Sequence, residues 1–178
     1  MLVEVRVQSL ALDRTSNTPV VILQEVGGER VLPIWIGPGE ASAIAMQLAE
    51  MEFSRPLTHD LLCSVLSGLG GALQKVIITK VQKSTYYAEL IVRRNGEVIS
   101  LDARPSDSIA VALRVDARIF ADEGLLELAS IEIAEDESTS ESGLERLERI
   151  EPDGTMGPEE LKEYLRGLNP EDFGRFTP

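Results

Sequence analysis

Two stretches of this chain repeat the same succession of hairpin, proline, acid and small-residue run. Gly37-Pro38-Gly39-Glu40 leads into Ala41-Ser42-Ala43-Ile44-Ala45-Met46, and Arg104-Pro105-Ser106-Asp107 leads into Ser108-Ile109-Ala110-Val111-Ala112-Leu113. An offset of 67 places Pro105 on Pro38, Asp107 on Glu40, Ala110 on Ala43 and Val111 on Ile44. Further upstream an offset of 68 pairs the turn Gly96-Glu97 with Gly28-Glu29. A unit of strand, tight turn, strand, proline, acid and helix therefore occurs twice. Its period exceeds those of solenoids, so two copies in one domain are expected. In each copy proline suits the first helical turn and the acid faces the positive end of the helix dipole. Ser106 or Asp107 is placed to cap the second of these helices.

The other elements fit around this pair. Val3, Val5 and Val7 alternate with polar residues up to about Leu12, as in a half-buried strand. A second strand at Pro19–Leu23 is joined through Gly27-Gly28 to a third at Arg30–Ile36. Pro33 donates no ladder bond, so that third strand belongs at an edge or bulge. Trp35 shares its outer face, which points either to a second packing layer or to a subunit contact. The first helix is expected from about Gly39 to Met51. The second follows Ser54-Arg55-Pro56-Leu57, with Thr58 as its cap and an apolar stripe at Leu61, Leu62, Val65, Leu66 and Leu69. Strands are expected at Lys75–Val81, Tyr86–Arg93 and Glu97–Ala103, the last two joined at Asn95-Gly96. The repeat helix ends near Arg114. Ile119–Ala121 reads as a short strand, and Asp122 opens a brief helix at Glu123–Leu128.

After Ile133 the composition changes. Glu135 to Gly143 has no apolar residue, and a solvated linker over 134–157 is expected, with Leu144, Leu147 and Ile150 marking a marginal helix inside it. Residues 158–178 form an amphipathic helical tail with Leu161, Tyr164, Leu165 and Leu168 on one stripe. Too short to stand alone, this helix is expected to dock on its own domain, a neighbouring subunit or another protein. The globular unit is thus residues 1–133.

Charge is uneven. Residues 1–130 hold 16 acids and 12 bases, a net of −4, while 131–178 hold 14 acids and 5 bases, a net of −9. No basic run marks a nucleic-acid groove, so nucleic acid is not expected to be held tightly. No apolar run approaches the length that spans a bilayer, and no membrane association is expected. Cys63 is the only cysteine, so a disulfide framework is excluded; it lies among leucines and a valine as an inert thiol. A cytoplasmic location is the default.

The chemistry-bearing residues cluster at the helix starts. His59, the only histidine, is followed by Asp60, and the two suit a general base and its orienter. They equally suit a first-turn residue and a dipole-compensating acid. Asp102 and Asp107 flank Arg104, and with Glu40 they offer carboxylates for a divalent cation beside a phosphate-binding guanidinium. The competing reading pairs Arg104 internally and makes Asp107 a cap. The glycines give no phosphate-loop or dinucleotide fingerprint, and Ser106 lacks an acyl-transfer pattern.

Leu32-Pro33-Ile34-Trp35-Ile36-Gly37, Glu40-Ala41, Arg55-Pro56-Leu57-Thr58-His59-Asp60-Leu61 and Asp102-Ala103-Arg104-Pro105-Ser106-Asp107-Ser108-Ile109-Ala110 together resemble the bifunctional nuclease domain family over residues 1–133. The tail resembles that of actinobacterial members. The resemblance implies an α+β domain with a mixed or antiparallel sheet, a duplicated core, and self-association, most often as dimers. It also implies nuclease activity on DNA and RNA. Its motif positions point to His59, Asp60, Arg104 and Asp107 for catalysis and to Arg55 and Arg104 for substrate. Glu40, Asp102 and Asp107 are the expected holders of Mg²⁺ or Mn²⁺. The alternative is a non-catalytic oligomeric binding or regulatory module, with the same residues serving as caps and ion pairs.

Overall fold

The computed structural model describes residues 1–129 and 147–150. The two copies of the repeat appear as β1 (Leu2–Asp13), β2 (Thr18–Glu25), β3 (Val31–Trp35) and α1 (Pro38–Leu48), then β4 (Gly71–Gln82), β5 (Thr85–Arg94), β6 (Glu97–Ala103) and α3 (Pro105–Val115). At the offset of 67, α3 falls on α1 from first residue to last. Between the copies lies α2 (Thr58–Gly68), and after them β7 (Arg118–Asp122), α4 over 123–129 and β8 (Leu147–Ile150).

The described strands share one mixed sheet in the order β3-β2-β1-β7-β4-β5-β6, with β8 off this path and paired to β1. Each copy is an antiparallel meander, and β7 joins them, antiparallel to β1 and parallel to β4. The turn at Asn95-Gly96 has positive φ at both residues (52° and 84°), the backbone a two-residue hairpin needs. Pro33 sits in β3 at the sheet edge, where its missing donor costs no internal bond.

One face of the sheet carries the main core. Val21, Leu23, Leu32 and Ile34 from the first copy meet Val76, Ile78 and Ala88 from the second, with Ile44 of α1 and Ile109, Ala110 and Ala112 of α3 packed over them. The alanines let α1 and α3 lie against each other and on the sheet. On the opposite face Ala11, Val20, Ile22 and Val31 make a smaller cluster, the second packing layer. Trp35 is 44% exposed, and its indole N–H donates to Asp13 Oδ2 at 3.1 Å.

Several local expectations are corrected. α1 ends at Leu48, because Ala49 leaves the helix and Glu50 takes φ 50°. The cap of α2 is Leu57, not Thr58, and the end is closed from inside: the Leu57 N–H donates to Asp60 Oδ2 at 2.7 Å. Asp107 is not a cap either. The extended residue before α3 is Arg104, the Ser108 hydroxyl donates to the Arg104 carbonyl, and the Asp107 carboxylate engages the Arg104 and His59 side chains instead of the helix end. None of the residues of α2 is buried, so its apolar stripe does not enter the core. Leu147–Ile150, expected inside the linker and its marginal helix, form β8 against Leu10–Asp13, where β7 leaves the edge of β1 without a neighbour. The expected tail helix at 158–168 lies outside the described residues.

Candidate functional site

Because α1 and α3 pack side by side, their first turns meet, and the two acids of the repeat come to one guanidinium. Arg104 Nη1 lies 2.8 Å from Glu40 Oε1, and Nε lies 2.7 Å from Asp107 Oδ2. The other oxygen of Asp107 is 3.2 Å from His59 Nε2. A chain Glu40–Arg104–Asp107–His59 therefore crosses from α1 through α3 to α2. A Cβ on Gly37 would collide with the Glu40 carboxylate, so glycine leaves that side chain room to fold back. Burial works against the charged form of Asp107, but hydrogen bonds from Arg104 and His59 outweigh it, and the carboxyl lies below its usual range. The bond to Asp107 in turn pushes the Arg104 guanidinium further up.

Arg104 is 65% exposed while the His59 side chain is only 14% exposed. The corner thus presents a solvated cation beside a mostly shielded imidazole. An open groove of about 490 Å³ runs between Gly39, Ser42, Ala43 and Met46 of α1 and the segment Pro56–His59. Arg55 is exposed on the turn beside this groove and stands outside the hydrogen-bonded chain.

A second network lies beneath. The Arg114 side chain is 6% exposed, and its Nε donates to Asp60 Oδ1 at 2.6 Å. Its Nη1 donates to the carbonyls of Ala110 at 2.9 Å and Ala43 at 3.3 Å. One guanidinium therefore ties α1, α2 and α3 together behind His59. The Leu57 amide, then Arg114, hold the Asp60 carboxyl below its ordinary range. With both oxygens so engaged, Asp60 is not the partner of His59. Successive helix positions point about 100° apart, and the carboxylate that meets the ring is Asp107. Nothing in the sequence singled out Arg114; the only signal was a lone cation at the end of an otherwise apolar helix.

The expected cation set does not assemble. Asp102 sits opposite Glu89 on β6, on the sheet face away from α3, while Glu40 and Asp107 already share the Arg104 guanidinium. Among the described residues no three His, Cys, Asp or Glu side chains form a group that would hold a metal ion. Cys63 is half-buried, and burial pushes its thiol up, away from nucleophilic use.

The depressed carboxyls set a pH dependence. Asp60 and Asp107 in the folded state bind protons more weakly than in the unfolded chain, whose aspartates titrate near pH 3.9. Their stabilisation is fully present above that value and is lost as pH falls through the lower folded values. Urea midpoints are expected to change little between pH 7 and about pH 5 and to drop below about pH 4. Asp60→Asn should show a shallower acid drop; an identical profile would remove Asp60 from this account.

Residues 21–134 match the family model described as bifunctional nuclease domain. A protein of Mycobacterium tuberculosis, itself uncharacterized, is 40% identical over 170 residues, 96% of this chain and 97% of its own length. Bifunctional nuclease 1 of Oryza sativa subsp. indica is 29% identical over 122 residues, 64% of this chain and 37% of the rice protein. Bifunctional nuclease 1 of Arabidopsis thaliana is 26% identical over 105 residues, 57% of this chain and 32% of the plant protein.

Proposed function

The chain belongs to the bifunctional nuclease domain family, and on that premise we propose that the Arg104–Asp107–His59 corner binds and hydrolyses nucleic-acid phosphodiesters. The observation that carries this reading is the exposed Arg104 guanidinium and the His59 imidazole sharing the Asp107 carboxylate, with His59 also lining an open groove. With the Nε2 proton given to Asp107, Nδ1 of His59 keeps the lone pair that takes a proton from attacking water. Arg104 meets the non-bridging phosphate oxygens and stabilises charge that grows on them. Arg55, on the exposed turn, contacts the strand beyond the scissile phosphate. Substrate held by so few cations on a domain of net −4 binds weakly and locally, and both DNA and RNA fit such backbone recognition. Glu40 and Asp107 are spent on Arg104, so no step is routed through Mg²⁺ or Mn²⁺ here.

Arg104→Ala tests the phosphate contact. KM for a single-stranded oligonucleotide is expected to rise about 10-fold, in keeping with a charge-assisted bond worth about 1.5 kcal/mol. The assay should persist in EDTA; abolition by chelation would replace the histidine route with a cation recruited elsewhere. The competing reading, a non-catalytic binding module, draws on the internal pairing of Arg104 and Arg114. It requires that purified protein cleave nothing. Among the described residues no helix is long and apolar enough to cross a membrane, and the proposed setting is the cytoplasm.

A further inference from the structure

The two copies of the repeat differ on the sheet face that points away from the helices. Where the first pairs Val20 with Trp35 and Ile22 with Pro33, the second pairs Glu89 with Asp102 and Ile91 with Ser100. The second copy has the surface of a sheet that meets water. Its Ser100 hydroxyl donates to Glu89 at 2.8 Å, and Ile91 is half-exposed. In the first copy Ile22, in the place of Ile91, is 6% exposed, and Val20 and Ala11 are 0% and 1%. Trp35 reaches across β2 to Asp13 and shields Val20, but in doing so it leans away from Ile22. Ser9, opposite Ile22, has its hydroxyl shut from water with no hydrogen-bond partner. A bare sheet face does not bury such residues. Yet α1, α3 and α4 pack into the main core on the other face. α2 lies there too, since a Cβ on Gly71 would touch both Leu66 and Val92. The layer over Ile22 and Ser9 therefore comes from beyond the described residues.

We propose that the C-terminal segment 158–178 is that layer, its stripe of Leu161, Tyr164, Leu165 and Leu168 lying across the first meander over Ser9, Ala11, Ile22 and Val31. β8 delivers the chain to this place, because Arg149 pairs with Ala11 at the rim of the cluster. The seven residues 151–157 span at most about 23 Å when extended. The two strand spacings from β1 to β3 measure only ~10 Å, so the reach is ample. The other undescribed stretches are poorer covers. Glu135 to Gly143 holds no apolar side chain, and Ile131 and Ile133 follow α4, whose Leu125, Leu126 and Ala129 enter the main core on the opposite face. The α2 stripe is a second apolar surface, but it stays open, with Leu61 57% and Leu69 62% exposed. Seated on the first meander, the acidic tail lies on the side of the sheet away from Arg104 and His59. The seat is independent of the nuclease reading.

Trp35 is the only tryptophan and borders the seat, so its fluorescence reports on the tail. In the full chain, Leu161→Asp with Leu165→Asp should shift its emission to the red while the circular dichroism of the sheet persists. Acrylamide quenching should rise about twofold, because the indole is 44% exposed and gains the surface the tail had covered. Ile131→Asp with Ile133→Asp should leave both signals unchanged. Cross-linking in a Cys63→Ala background is the second measurement. Val31→Cys is combined in turn with Leu161→Cys, Leu165→Cys and Leu168→Cys, and mild oxidation should close a disulfide within one chain in at least one of the three. Leu62→Cys on α2, combined with the same three, should close none. An unmoved Trp35 signal overturns the proposal, as does a signal moved by the Ile131 and Ile133 changes instead. Disulfides that form only between chains, or only at Leu62, overturn it as well.

Discussion

His59→Ala is expected to lower phosphodiester cleavage by purified protein at least about 100-fold, the lower end of what a positioned general base supplies. The imidazole is 14% exposed and held at 3.2 Å by one oxygen of Asp107, so its ring orientation is fixed before substrate arrives. Asp107→Asn keeps the shape but removes the charge that orients the ring, and it should lower kcat about 10-fold or more with little change in KM. Losing a mostly shielded imidazole also deprives Asp107 of a hydrogen bond, so stability should fall by about 1 kcal/mol, and cleavage is compared where both proteins stay folded. Cleavage that persists undiminished in both variants belongs to a contaminant, and the catalytic reading goes with it.

The largest stability effect is expected one layer down. Asp60→Ala leaves the Arg114 guanidinium, 6% exposed, without its counter-charge, and should cost about 3 kcal/mol. Arg114→Met should cost less, because the Asp60 side chain is about a third exposed and regains water when its partner goes. Arg104→Ala should cost under about 1 kcal/mol, since that side chain lies mostly in solvent. Equilibrium urea unfolding of the three variants ranks them. If Arg104→Ala proves as damaging as Asp60→Ala, the exposed corner is a structural clamp and the non-catalytic module is the better description.

The repeat made most of this legible. Matching Pro38 to Pro105 and Glu40 to Asp107 required two equivalent helix starts, and close packing of two alanine-rich helices brought those starts together. The hairpins were readable because Asn95-Gly96 and Gly27 carry the positive φ their turns need. Roles that depend on packing were not. The Leu61–Leu69 stripe has the period of a buried helix face, and periodicity alone does not say whether the covering surface comes from the same chain. His59 and Asp60 suggested a pair through adjacency, but the geometry of a helix separates neighbours and the true partner is 48 residues away. Arg114 was hidden because a cation in a last helical turn already has a reason to be there.

The lone parallel pairing has a consequence for synthesis. Among the described residues the two meanders meet within the sheet only through β7, whose five residues are made after both. Until residue 122 emerges, the nascent chain holds β1 and β4 with their inner edges bare, and the bridging register links Val3 to Ala121 across 118 residues of sequence. Translation stalled or cut short before Arg118 should therefore yield sticky, open half-sheets instead of a smaller working domain.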